Sequence, residues 1–79
     1  MRATVLVRPK SGILDPQGAA VETALEHLGF SVTGARVGKV VDLEVDATDP
    51  AEARAQLERM CEQLLANPLM ESYEIELHG

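Results

Sequence analysis

The sequence predicts an antiparallel α+β sandwich, one sheet with two helices on one face, in the chain order β-α-β-β-α-β. Three observations predict it. Two Asp-Pro dipeptides, Asp15-Pro16 and Asp49-Pro50, each open an apolar stripe of helical period. Segments that alternate, or that are dense in β-branched residues, flank both stripes. The chain has 79 residues, which fits a single domain over residues 1–79 whose thin core buries roughly 60–65% of the unfolded surface.

Arg2-Ala3-Thr4-Val5-Leu6-Val7-Arg8 is apolar on both faces from Val5 to Val7, as suits a central strand covered on both sides. Pro9 ends its ladder, having no N–H to donate. In the loop that follows, Asp15 is placed to cap the first helix and Pro16 to occupy its first turn. Val21, Ala24, Leu25 and Leu28 then recur at i, i+3, i+4 and i+7, giving a helix from about 16 to 28. Gly29 is its expected left-handed terminator, with Phe30 placed to fold back on Leu25.

Residues 31–46 are too long for one ordinary strand. They predict a hairpin with arms near 31–37 and 40–46 and a turn at Gly38-Lys39, or else one long bent strand. Asp49, Pro50 and Glu52 form a second helix start with capping-box spacing. Leu57, Met60, Cys61, Leu64 and Leu65 are its apolar stripe, and Asn67-Pro68 stops it. Tyr73, Ile75 and Leu77 alternate with polar residues in a last strand. Two right-handed β-α-β units in one antiparallel sheet make a ferredoxin-like sandwich.

Ile13 and Leu14 do not fit their setting. Two large apolar side chains stand in a polar loop, where one of them can serve as a staple on the helix. Leu14 is taken as the staple and Ile13 as a contact for a partner.

Charge is uneven along a chain of net charge −6. Residues 1–39 carry five basic groups against three acids, and residues 40–79 two against ten. With only Phe30 and Tyr73 as aromatics, the chain lacks the field and the stacking platform for nucleic acid. No apolar run approaches the ~20 residues of a membrane span, and no signal peptide is evident. A single cysteine cannot pair within the chain. A soluble cytoplasmic protein that oligomerises to supplement its core is expected.

A search for chemistry finds none. Gly34-Ala35-Arg36-Val37-Gly38-Lys39-Val40 has three residues between its glycines where a phosphate loop needs four, and Val40 stands where a hydroxyl is required. Cys61 sits on an apolar stripe and reads as a core thiol. His27 and His78 have no metal-ligand spacing, and His27 suits a helix C-terminus.

Lys10-Ser11-Gly12-Ile13-Leu14-Asp15-Pro16-Gln17-Gly18 resembles the signature of the PurS family, the small subunit of bacterial and archaeal phosphoribosylformylglycinamidine (FGAM) synthase. Leu28-Gly29-Phe30, Arg36-Val37-Gly38-Lys39 and Leu64-Leu65-Ala66-Asn67-Pro68 resemble the family's later blocks in order and spacing. Leu69-Met70 departs from it, where a β-branched residue before the glutamate is expected. The resemblance implies a non-catalytic homodimer or dimer of dimers. That dimer would bridge a large ATP-dependent synthetase subunit (PurL) and a glutaminase subunit (PurQ) in de novo purine synthesis, while ammonia passes between them. It implies no cofactor here, with ATP and Mg²⁺ used by the synthetase. The candidate partner-binding residues are Lys10, Gly12, Ile13, Leu14, Asp15, Arg36, Gly38, Lys39, Asn67 and Pro68. A free-standing ACT-like regulatory domain shares the element order and is the alternative, with a small ligand near the loop after the first strand. An acylphosphatase-like enzyme is the third option; Arg8-Pro9-Lys10 is a poor substitute for its phosphate loop.

Overall fold

A computed structural model describes residues 1–78. Strand β1 (Arg2–Pro9) leads through a loop to helix α1 (Pro16–His27), then β2 (Lys39–Glu44), helix α2 (Pro50–Met60), a π-helical turn (Cys61–Leu65) and β3 (Glu71–His78). The sheet is antiparallel, in the order β2-β1-β3. Val5 stands opposite Val41 on one side and Ile75 on the other. The first strand of the chain is therefore the central one, as its apolar run predicts.

Alternation divides the sheet into two unlike faces. Ala3, Val5 and Val7 point to one side and are buried with Val45, Ala53, Leu57, Cys61 and Ala66. Val41, Leu43, Tyr73, Ile75 and Leu77 pack against this cluster. Ala53, Leu57 and Cys61 recur every four residues, so α2 supplies the lid. The opposite face carries Arg2, Thr4 and Arg8 in β1, with Leu6 its one apolar residue there. Asp42 and Glu44 flank β1 on one side, Glu74, Glu76 and His78 on the other. The expectation that β1 is covered on both faces is not met, because Leu6 and its partner Val40, with Val40 itself 60% exposed, do not make an apolar face.

The α+β class holds and both helices and three of the four predicted strands form, but one layer differs. The predicted strand at 31–37 has no ladder partner and is irregular, so neither the hairpin nor the long bent strand forms and the sheet has three strands. Helix α1 does not lie on the sheet beside α2. Three strands about 4.8 Å apart give a face little wider than the ~10 Å diameter of one helix, and α2 occupies it. Helix α1 extends the molecule instead, to 49 × 25 × 14 Å with a radius of gyration of 15.7 Å, against about 12 Å for a compact chain of this length. Its predicted core stripe is open: Val21 and Ala24 are exposed, Leu25 is half-buried and Leu28 is 73% exposed.

The helix ends follow their sequence signals. Phe30 N–H donates to Leu25 O and Gly29 N–H to Glu26 O, both at 3.0 Å, with Gly29 at φ +96°. That is a Schellman ending, although the Phe30 side chain stays 59% exposed. At α2 the Asp49 carboxylate accepts from Ala51 N–H at 3.3 Å. Among the described residues Glu52 makes no return bond, so the capping box is half-formed. The π turn closes with Ala66 N–H on Cys61 O at 3.0 Å. Its wider winding rotates Leu64 out of the predicted stripe to 82% exposure, while Leu65 stays half-buried.

Candidate functional site

Where β1 ends, three stretches far apart in sequence are tied together. Lys10 is joined twice to the turn before β3: its N–H donates to Met70 O at 2.9 Å and its ammonium to Pro68 O at 2.7 Å. Its own carbonyl accepts from Ile13 N–H at 3.2 Å and from the Arg36 guanidinium at 2.6 Å. Gly12, at φ +83°, makes the intervening turn in a conformation that disfavours a side chain. On the far side, the Asn67 carboxamide oxygen accepts from Leu69 N–H at 3.0 Å, and Asn67 N–H donates to the Glu71 carboxylate at 2.7 Å.

Asp15 is the second tie. One carboxylate oxygen accepts from Gly18 N–H at 3.1 Å, capping α1 as the Asp-Pro pattern predicts; the other accepts from Val37 N–H at 2.7 Å. The capping residue thus fastens both ends of the excursion that leaves the body at 16 and returns at 37. The bonds from Val37 and then Gly18 hold its carboxyl below the ordinary 3.8, with a smaller contribution from Arg36. Gly18 lies so close that a Cβ there would run into the Ala35 carbonyl and the Asp15 carboxylate. Gly38 is equally tight against the Val7 carbonyl.

Of the sequence-selected residues, Lys10, Gly12, Asp15, Arg36, Asn67 and Pro68 meet in this cluster. Their polar groups bond to one another's segments, so they position loops. What the ties hold outward is apolar: Leu14 is 92% and Leu69 83% exposed. Leu14 does not fold back as the expected staple: it projects into solvent, while Ile13 is half-buried. Ile13 N–H is committed to Lys10 O, which turns Ile13 inward and leaves Leu14 outward. Ile13, Leu14, Asp15, Val37, Asn67 and Met70 line a cavity of about 340 Å³ at the foot of the cluster. Gly38 and Lys39 line a different one, with Arg8 and Arg36. Sequence reasoning missed Leu69, Met70 and Glu71 as members of the site. Leu69-Met70 is the same anomaly as Ile13-Leu14, two large apolar residues in a turn, and was legible on that ground.

Elsewhere polar groups pair across the open sheet face. Thr4 Oγ1 donates to the Asp42 carboxylate at 2.7 Å and lies 2.9 Å from His78 Nε2. With the hydroxyl proton committed to Asp42, that nitrogen must be the protonated one. Tyr73 O–H donates to the Glu62 carboxylate at 3.0 Å, which with partial burial pushes the phenol up. Burial likewise raises the Cys61 thiol, assisted by Glu62 and Glu58, and keeps it a neutral core group at neutral pH. Among the described residues no group of three or more His, Cys, Asp or Glu side chains is arranged to hold a metal ion.

Fold and site define a small antiparallel α+β module built around a tied cluster of three loops. The chain belongs to the PurS family of FGAM synthase, whose family model matches residues 2–79. It is 44% identical over 77 residues to the FGAM synthase subunit PurS of Synechocystis sp., covering 96% of this chain and 75% of that one. Against PurS of Bacillus subtilis, identity is 36% over 96% of this chain and 90% of the relative. The solved structure of B. subtilis PurS superposes with a TM-score of 0.88 at 35% identity, covering 99% and 98% of the two chains. A chain of the PurLQS structure from Thermotoga maritima superposes at 0.84 and 36% identity, covering 95% and 93%.

Proposed function

We propose that this chain is the small subunit of a cytoplasmic FGAM synthase, bridging an ATP-using synthetase subunit (PurL) and a glutaminase subunit (PurQ) for ammonia transfer, and that it works as a homodimer. The observation that carries the bridging role is Leu14, 92% exposed between two anchored residues, Ile13 and Asp15. A large aliphatic side chain on a loop already held by hydrogen bonds loses less loop-ordering entropy on binding. Leu69 beside the Asn67-Pro68 turn enlarges the same apolar surface. Membership of the family, and the likeness to a chain of a PurLQS assembly, support the same reading. ATP and Mg²⁺ belong to the synthetase in this scheme, and the present subunit needs no cofactor. Among the described residues no helix is long and apolar enough to cross a membrane.

Dimerisation rests on α1. Val21, Leu25, Leu28 and Phe30 form an apolar face with no cover from their own sheet, and a second copy presenting the same face supplies an isologous cover. A dimer of dimers would need a further surface. The ACT-like reading places a small ligand near the loop after β1. There the polar groups of Lys10, Asp15 and Asn67 are committed to backbone partners, which counts against it.

The test is Leu14→Ser in the full chain, mixed with synthetase and glutaminase subunits. Because the side chain is exposed in the free subunit, melting should be unchanged. Complex formation should weaken by roughly 1–3 kcal/mol, about five- to 150-fold in affinity. A variant that assembles and supports synthesis normally sinks the docking role.

A further inference from the structure

We propose that the cavity between the C-terminal end of β1 and the start of β2 is a binding site for a phosphoryl anion, separate from the apolar docking loops. The cavity is about 330 Å³ and is lined by Arg8, Arg36, Gly38, Lys39, Leu6 and Val40, with Val7 and Pro9 beside them. Three of the chain's seven basic residues line it and none of its thirteen acids does. Each of the other described cavities has at least one carboxylate in its wall. In a chain of net charge −6, a cavity whose only charged lining residues are cationic focuses positive potential where the molecule as a whole repels anions.

The donors are unequally committed. Arg36 is oriented by its bond to Lys10 O, which uses one N–H of five and leaves the fork free to bind. Arg8 meets Glu74 at 3.3 Å, with both side chains more than half exposed, a pairing weak enough to be displaced. Lys39 has no ion-pair or hydrogen-bond partner among the described residues. Gly38 lets β2 approach Val7 closely, and Lys39, opposite Val7 in the ladder, joins the lining from that strand. Two guanidinium forks and an ammonium exceed what a carboxylate can accept and suit the three oxygens of a phosphoryl group. Pro9 and exposed Val40 offer an apolar wall to an organic body attached to it.

The experiment titrates inorganic phosphate and ribose 5-phosphate separately into the full chain at low ionic strength, following backbone amide shifts. Saturable shifts confined to Leu6–Arg8 and Arg36–Val40 are expected, weakening with added salt. Lys39→Gln and Arg8→Gln should each lower the affinity about tenfold, the loss of one charge-assisted contact. The expected shifts with both ligands would assign the site to the phosphoryl group itself; tighter binding of the ester would add the apolar wall. Shifts spread equally to Arg54 and Arg59, or unchanged in Lys39→Gln, would overturn the proposal, as would no saturation at tens of millimolar. Loss of subunit assembly in Lys39→Gln without any phosphate response would also overturn it and turn the cavity into a docking surface. Loss of the Leu14 docking role would leave this site untouched.

Discussion

The body of the molecule and its arm use the same kind of helix to opposite ends. Helix α2 and the π turn that continues it bury Ala53, Leu57 and Cys61 against the sheet at or below 1% exposure. Helix α1 carries a stripe of equal period and leaves Leu28 and Phe30 in water. Both start with Asp-Pro and both have proper caps. The difference lies in what faces them: a three-stranded sheet has room for one helix, and the earlier helix in the chain is the one left without it. Amphipathic period therefore reports that a face needs cover, and says nothing about which molecule supplies it.

The comparison breaks most sharply in the body. Leu57→Ala empties the centre of the core and should lower unfolding stability by about 2–5 kcal/mol in denaturant melts. Cys61→Ser puts a hydroxyl into the same apolar cluster and should cost on the order of 1 kcal/mol. In the arm, Leu28→Ser should change the stability of the isolated chain by less than about 0.5 kcal/mol. It should weaken self-association tenfold or more, measured by sedimentation equilibrium, because each Leu28 buried between copies is worth roughly 1.5–3 kcal/mol. A monomer whose melting falls as far as that of Leu57→Ala would erase the distinction between the two regions.

The smallest effect tests the tie between them. The Asp15 carboxyl titrates lower in the folded chain than in the unfolded one, so its contribution is complete above its ordinary value and fades as pH falls through the lowered one. The Gly18 and Val37 amides should stay protected against hydrogen exchange from neutral pH to below 3.8, then lose protection. Asp15→Asn should show the loss at neutral pH, with the protection of β1 unchanged.

The parts of the fold that local chemistry decides were legible in the sequence. Caps at Asp15 and Asp49, the glycine ending at Gly29, the stop at Pro68 and the alternation of β3 all involve neighbours within a few residues. The strand expected at 31–37 failed because β-propensity describes fitness for a ladder, and no ladder edge reaches that segment within one chain. Leu64 was misplaced because a π turn leaves no composition signal. At the site, the cap at Asp15 was legible, whereas its second bond to Val37 and the ties of Lys10 and Arg36 between distant segments were not, because they join backbone groups far apart in sequence. Exposure of Leu14 over Ile13 turns on one backbone bond to Lys10 O, which sequence does not display.

The centrality of β1 has a consequence for how the chain is made. The strand leaves the ribosome before either of its partners, Lys39–Glu44 and then Glu71–His78. At roughly 5–20 residues per second, Val5 waits about 3–14 s between its own synthesis and that of Ile75. Early in that interval, before Lys39–Glu44 and then Leu57 of α2 have followed, this apolar strand has both edges unpaired and no lid. The nascent chain therefore passes through its most aggregation-prone form early, and its half-life in that state is governed by translation speed and chaperone access more than by the stability of the finished sheet.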